Sequence, residues 1–210
     1  VWNYIPEPKS IYAGVNKLEA GYQFTYDLEN KIFNKEKYWD LDYSINNQKN
    51  LDYETAKERL ESHIRDSVKM RMISDVPLGI FLSGGIDSSL IAYLAQDISE
   101  SQIKTFSIQF NEQKFDESIY AEKVAGLINS NHKTILCDYS EGMDLINNFH
   151  YYYDEPFADA SAIPSLLLSK HTRKHVTVAL SGDAGDESFL GYNRYDAMNK
   201  WSWFFGIPYP

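Results

Sequence analysis

The chain has 210 residues, enough for one domain with an appendage. Its 30 acidic residues outnumber its 20 lysines and arginines, giving a net charge of −10, which argues against the basic stripe that nucleic-acid binding requires. No run of 18 apolar residues occurs and no signal-peptide pattern opens the chain, so no membrane partner is expected; the single cysteine, Cys137, excludes an internal disulfide and fits a reducing, cytoplasmic compartment.

The N-terminal stretch predicts short strands and turns. Pro6 and Pro8 keep the backbone extended, and Gly14 and Gly21 punctuate two turns. Gly21 to Tyr26 alternates apolar and polar side chains, a strand signal, and Lys31 to Phe33 is read as the returning arm after a turn at Asn30. The Asn-rich residues 44–52 read as a linker. Asp52 then caps a long helix whose apolar stripe runs Tyr53, Ala56, Leu60, Ile64, Val68, Met72, and Pro77 ends that pattern.

From Leu78 the chain alternates. Strands are predicted at Leu78–Leu82, Thr105–Phe110, Lys133–Cys137 and Val176–Leu180. Helices are predicted through Ile86–Leu94, at 117–128 with Asp116 as cap, and near 140–152 and 161–173. Such alternation with apolar strands predicts a parallel sheet covered on both faces, an α/β domain. The aromatic residues concentrate at the ends: 11 of 31 lie in residues 1–53 and 7 in residues 192–210. Rings are costly to leave in water, so these ends are expected to pack on the middle or on something outside the chain.

Ser83-Gly84-Gly85-Ile86-Asp87-Ser88-Ser89 falls between a predicted strand and a predicted helix. Glycines let backbone approach a ligand, and the N–H groups of the loop and of the helix start attract an anion. No lysine follows the glycines, so this is not GxxxxGK[ST], and it is not GxGxxG either. An acid in a phosphate loop repels its ligand unless a cation intervenes, so Asp87 implies Mg²⁺. Ser181-Gly182-Asp183-Ala184-Gly185-Asp186-Glu187 follows another predicted strand. Carboxyl ends of parallel strands share one crevice, so Asp186 is expected to join Asp87 on the metal.

These motifs are similar to those of a known family. Residues 83–89 resemble the pyrophosphate-binding loop of the N-type ATP pyrophosphatases, the PP-loop superfamily. With Asp75 to Leu82 before it and SGDAGDESFLGY at 181–192, the pattern resembles the synthetase domain of glutamine-dependent asparagine synthetases. Tyr4 to Pro8 and Leu18 to Tyr22 resemble the end of that family's glutaminase domain and its linker. The resemblance implies an adenine nucleotide alpha hydrolase-like α/β domain over 53–210, cut short at its C-terminus, a linker at 44–52, and a β-rich glutaminase remnant over 1–43. It implies that ATP activates a carboxylate, aspartate in this family, as an acyl-adenylate with loss of pyrophosphate. Ammonia from a glutaminase domain outside the chain then displaces AMP. A homodimer is compatible with it.

By the same resemblance, Ser83, Gly84, Gly85, Asp87, Ser88 and Ser89 would hold pyrophosphate and metal. Phe81, Leu82 and Ile108 would line the adenosine pocket, and Ser181 and Gly182 would touch the nucleotide. Asp87, Asp183 and Asp186 would be the catalytic acids, with Asp87 and Asp186 on Mg²⁺. Asp154, Asp159, Ser161 and Arg194 are candidates for the acceptor. The chain departs from the family pattern in three ways. Asp183 and Ala184 stand where Glu and Gly are frequent, residues 154–164 contain no arginine, and no N-terminal cysteine is present.

Cys137 is read as a buried strand thiol, His132 as a strand-edge histidine, and Tyr151 to Tyr153 as helix-end packing. Three rival readings accompany the synthetase: an amidotransferase relative acting on another carboxylate, another adenylating enzyme with the same loop, and a non-catalytic nucleotide-binding module.

Overall fold

A computed structural model of the chain describes residues 3–42, 51–111, 116–137 and 139–201. Most of the expected linker and the aromatic stretch 203–205 lie outside these described residues. Residues 3–20 form turns closed by hydrogen bonds from Lys9 N to Pro6 O (3.1 Å) and from Lys17 N to Pro8 O (2.9 Å). They lead into an antiparallel hairpin of β1 (Tyr22–Asp27) and β2 (Ile32–Lys37), with Tyr22 opposite Lys37 and Asp27 opposite Ile32. The Asp27 carboxylate accepts the N–H groups of Glu29 and Asn30, which turns the chain between the arms. The Phe24 and Phe33 rings meet at 5.2 Å, tilted by 33°, yet both stay exposed, as do Tyr26, Tyr38 and Trp39. Of the two expectations for the aromatic N-terminal region, packing on the middle fails for these rings, because the two-stranded hairpin has no covering layer among the described residues.

Asp52 caps α1 (Tyr53–Arg71) as expected, accepting from Thr55 N at 3.0 Å and from its hydroxyl at 2.7 Å. The apolar stripe is only half used. Ile64, Val68 and Met72 reach the core, whereas Tyr53, Ala56 and Leu60 are exposed. A 19-residue helix is about 28 Å long, longer than the short strands beneath it, so its first turns overhang.

The remaining elements are β3 (Leu78–Phe81), α2 (Ile86–Ile98), β4 (Lys104–Gln109), α3 (Ser118–Leu127), β5 (Asn131–Leu136), α4 (Tyr139–Asn147), a 3₁₀ turn (Phe149–Tyr151), α5 (Ala162–Thr172), β6 (Val178–Leu180), α6 (Gly185–Phe189) and α7 (Asn193–Lys200). The four strands β5-β4-β3-β6 form one sheet in that order, all parallel. One face carries Ile80 and Leu82 against Val68 of α1, Ala92, Leu94 and Ala95 of α2, and Ala121 and Ala125 of α3. The other carries Phe106 and Ile135 with Val176, under Leu168 of α5. The expected α/β class with a doubly covered parallel sheet is therefore present.

Several details differ from the sequence reading. Val176 is a buried core residue just before β6 rather than its first residue, and Cys137 lies just past β5, half-buried. Tyr151 and Tyr152 are exposed, correcting their reading as helix-end packing; Tyr153 alone of the three stacks inward, on Phe149 (4.5 Å) and Phe157 (5.1 Å). The helices α6 and α7 were not expected. Among the described residues no helix is long and apolar enough to cross a membrane.

Candidate active site

The order β5-β4-β3-β6 reverses direction once, between β3 and β6, and at such a switch point the loops beyond the carboxyl ends diverge to leave a crevice. The loop 83–89 leaves β3 and the loop 181–187 leaves β6, and the two strands are bonded neighbours with Ile80 beside Leu180. They meet closely: a Cβ on Gly182 would lie 2.7 Å from Ser88 N and 3.1 Å from the Asp87 Cβ. A Cβ on Gly185 would overlap the Asp87 carboxylate. The absence of side chains at these two positions lets the second loop seat on the first.

The first loop is braced internally. Ser88, almost fully buried, accepts from Ser83 N at 3.2 Å, and its hydroxyl lies 2.9 Å from the Ser83 hydroxyl and 3.3 Å from Gly85 O. Gly85 N donates back to Ser83 Oγ at 3.2 Å. Gly84 takes φ +84°, and a Cβ there would lie 2.6 Å from the backbone of Tyr120 and Ala121, so glycine is required by conformation and by space. Gly85 caps α2 with no side-chain hydrogen bond to its first turn, where Asp87 sits. The second loop is braced less. Ser181 Oγ donates to Asp183 at 2.9 Å, and Ala184 adopts φ +69°, a left-handed conformation costly for a residue with a Cβ.

A cleft of about 830 Å³ opens between the loops. It brings together Phe81, Leu82, Ser83, Gly85, Asp87, Ser88, Ile108, Ser181, Gly182, Asp183 and Asp186, all singled out in the sequence. The Leu82 side chain is in the core, so its share of the wall is backbone, held by Leu82 N donating to Phe106 O at 2.8 Å. Gly84 and Ser89 are not part of the lining. Gly84 faces α3, and the Ser89 hydroxyl is buried without a hydrogen-bond partner among the described residues.

A polar recess of about 480 Å³ adjoins the cleft and shares Ser165, Gly182, Asp183 and Asp186 with it. Asp159 and Ser161 line it with Glu187 and Tyr192. The Asp159 carboxylate accepts from Ser161 Oγ (2.7 Å) and Ser161 N (2.8 Å), bonds that hold its pKa below the usual carboxylate range. Tyr192 donates to Glu187 at 2.7 Å; that bond raises the phenol to about 12 and lowers the Glu187 carboxyl. Two acceptor candidates lie elsewhere. Asp154 faces a separate groove beside the N-terminal segment, and Arg194 stacks its guanidinium on the Tyr192 ring at 4.1 Å.

Residues not singled out by the sequence also line the cleft: Phe106, Phe110, Glu117, Ser165, Ser169 and Phe189 among them. Ser165 and Ser169 are four apart on α5, a small polar stripe that helical periodicity could have flagged. His132 is bonded on both ring nitrogens, Nδ1 to Thr105 Oγ1 (2.8 Å) and Nε2 to Ser107 Oγ (3.1 Å), and burial lowers its pKa. Through Ser107, a lining residue, it supports the cleft wall from the edge strand β5.

The donor chemistry suits a hard cation. The Asp87 and Asp186 carboxylates line one cleft, and neither has a hydrogen-bond or ion-pair partner among the described residues. Glycine 185 leaves the space that the Asp87 carboxylate occupies. Among the described residues no group of three or more His, Cys, Asp or Glu that could hold a metal ion is gathered.

The chain is 41% identical over 191 residues to "Putative asparagine synthetase [glutamine-hydrolyzing] 2" of Methanocaldococcus jannaschii, covering 90% of this chain and 36% of that protein. It is 38% identical over 198 residues to "Asparagine synthetase [glutamine-hydrolyzing] 1" of Bacillus subtilis, covering 92% and 30%. The chain thus spans about a third of the length of these relatives. Among solved structures it is similar to the glutamine-dependent NAD+ synthetase from Acinetobacter baumannii in complex with ADP, at 20% identity and a TM-score of 0.43, covering 80% of this chain and 31% of that one. The model of the family described as asparagine synthase matches residues 59–208, and with that match the chain belongs to the asparagine synthase family.

Proposed function

We propose that the chain forms the synthetase part of an ATP-dependent amide-forming enzyme of asparagine synthetase type. The observation that carries this reading is the meeting of the Ser83–Ser89 and Ser181–Glu187 loops in one cleft that also exposes Phe81 and Ile108. In the first step a carboxylate oxygen of the acceptor attacks the α-phosphorus of ATP, the bond to the β-phosphate oxygen breaks, and pyrophosphate leaves. In the second, ammonia attacks the acyl carbon, AMP leaves with the carbon–oxygen bond electrons, and a proton is lost. No side-chain nucleophile is required.

Each group has a part. Phe81 and Ile108 offer apolar surface to the base. The uncapped first turn of α2 and the hydroxyls of Ser83 and Ser88 face the negative charge that grows on the departing pyrophosphate, the place where fixed donors accelerate a reaction. Asp87 and Asp186 would hold Mg²⁺, which when bound neutralises phosphate charge. Asp183 braces Ser181 beside the nucleotide. Asp159 and Ser161 stand on the acceptor side.

Aspartate is the acceptor that the names of the relatives support, with nitrogen delivered as ammonia from a glutaminase domain to which residues 1–43 would belong. A second reading, in which a different molecule supplies the carboxylate, is favoured by the recess itself: its described lining holds Asp159, Asp183, Asp186 and Glu187 and no lysine or arginine. The test is Mg-dependent AMP and pyrophosphate formation by the complete protein with a panel of carboxylates and ammonia. Asp87→Ala is expected to abolish ATP–pyrophosphate exchange. Full exchange in that variant would overturn the assignment of Asp87, and a wild type producing no AMP with any carboxylate would overturn the reading as a whole.

A further inference from the structure

We propose that Lys17, 138 positions away in sequence, is a positioning residue for the acceptor side of the cleft, acting through Glu155; this rests on the function proposed above. The Lys17 ammonium pairs with the Glu155 carboxylate and donates to Ile5 O at 2.7 Å. A second tie lies three residues on, where Ala158 N donates to Asn3 O at 2.8 Å. The base of this clasp is itself closed, by Lys17 N on Pro8 O and by the bridge between Lys9 and Asn16.

The held segment is a shared wall. Tyr153 and Phe157, stacked at 5.1 Å, line both the groove against the N-terminal segment and the recess beside the cleft. Asp159 and Ser161, two and four residues beyond Phe157, line the recess and lead into α5. A shift of Glu155 therefore moves the recess wall. The side chains of the pair are largely shielded, 30% exposed for Lys17 and 22% for Glu155, so removing the ammonium leaves a half-desolvated carboxylate that gains by swinging out to water. The Ser83–Ser89 loop stands apart from this, carried by β3 and α2 and braced by its own hydrogen bonds. The clasp thus governs the acceptor and leaves the nucleotide alone.

The test uses the complete protein and two readouts. Lys17→Met is expected to raise the acceptor carboxylate KM about tenfold and leave the ATP KM within about twofold, with the exchange of the Ala158 amide hydrogen accelerated at least about tenfold and amides of 83–89 unchanged. Lys17→Arg is expected to keep both readouts near wild type, and the exchanged pair Lys17→Glu with Glu155→Lys to recover most of the loss. Equal rises in both KM values, or a reversed pair no better than either single change, would overturn the positioning role, as would unchanged protection at Ala158. A wild type without turnover would sink the synthetase reading instead, and the exchange data would still decide whether Lys17 holds the loop.

Discussion

The two loops of the cleft are built on opposite plans. Ser83–Ser89 is tied to itself: three groups on Ser83, Gly85 and Ser88 satisfy one another, and Gly84 locks against α3. Ser181–Glu187 has a reciprocal Ser181–Asp183 pair at its start, one backbone bond from Gly185 N to Gly182 O and a left-handed alanine at its middle, and it lies over Asp87 and Ser88. A loop that is rigid before its ligand arrives suits the phosphate end of a nucleotide, where fixed donors are most effective. A loop that borrows its shape from its neighbour suits the side where the reacting groups must be admitted and released.

Gly185→Ala attacks the point where the second loop borrows from the first. The added methyl would occupy the position of the Asp87 carboxylate. ATP–pyrophosphate exchange is expected to fall about 100-fold, the scale of a misplacement near 1 Å, with little change in overall folding. Exchange within twofold of wild type would mean that the carboxylate can move without loss. Ser88→Ala attacks the self-braced loop. It leaves the Ser83 N–H without its Ser88 acceptor and the Ser83 hydroxyl with Gly85 N alone, and is expected to cost about 1–3 kcal/mol in denaturant unfolding. An unchanged midpoint would show that the bracing is dispensable.

Ala184→Gly sharpens the contrast from the other side. Relief of the positive φ is expected to stabilise the protein by about 1 kcal/mol, read as a higher Tm, provided that the left-handed backbone at φ +69° is kept. A drop in Tm would show that the methyl has a packing role. The smallest effect is at Tyr192. Its phenol, bonded to Glu187, is expected to titrate near 12 by NMR, and Glu187→Gln should return it toward 10. A raised phenol pKa means that this bond favours the native state below pH 10 and is lost as pH climbs through 12; with Glu187 exposed and Tyr192 only partly buried, the change in Tm should be small. A Tyr192 titrating near 10 in the unmodified protein would remove the bond from the second loop.

Much of this architecture was legible in the residues. The apolar run at 78–82 gave the central strand β3, because a strand buried in a parallel sheet is apolar on both faces, whereas β4 and the edge strand β5 mix polar with apolar residues and β5 begins at Asn131, two residues before the predicted Lys133. The glycines and acids of the two loops gave the cleft. Other features follow from tertiary placement and leave no local trace. The exposed half of α1 depends on how long the neighbouring strands are. The short helix α6 has acids and glycine where periodicity finds no face. Leu82 sits in a motif but points into the core. The pairing of Lys17 with Glu155 spans 138 positions, and neither residue stands in a pattern that announces the other.

The neighbours β3 and β6 also set an order of events. Leu78 lies beside Val178, so the two loops are joined by some of the longest-range contacts in the chain. Contacts of such separation form late, since the entropy of closing the intervening chain must be met first. On a ribosome, the Ser83–Ser89 loop with its strand and helix emerges about a hundred residues before the strand that completes the crevice. A ligand bound between the two loops would join early and late parts of the polypeptide and favour the finished sheet over any version in which β6 is undocked.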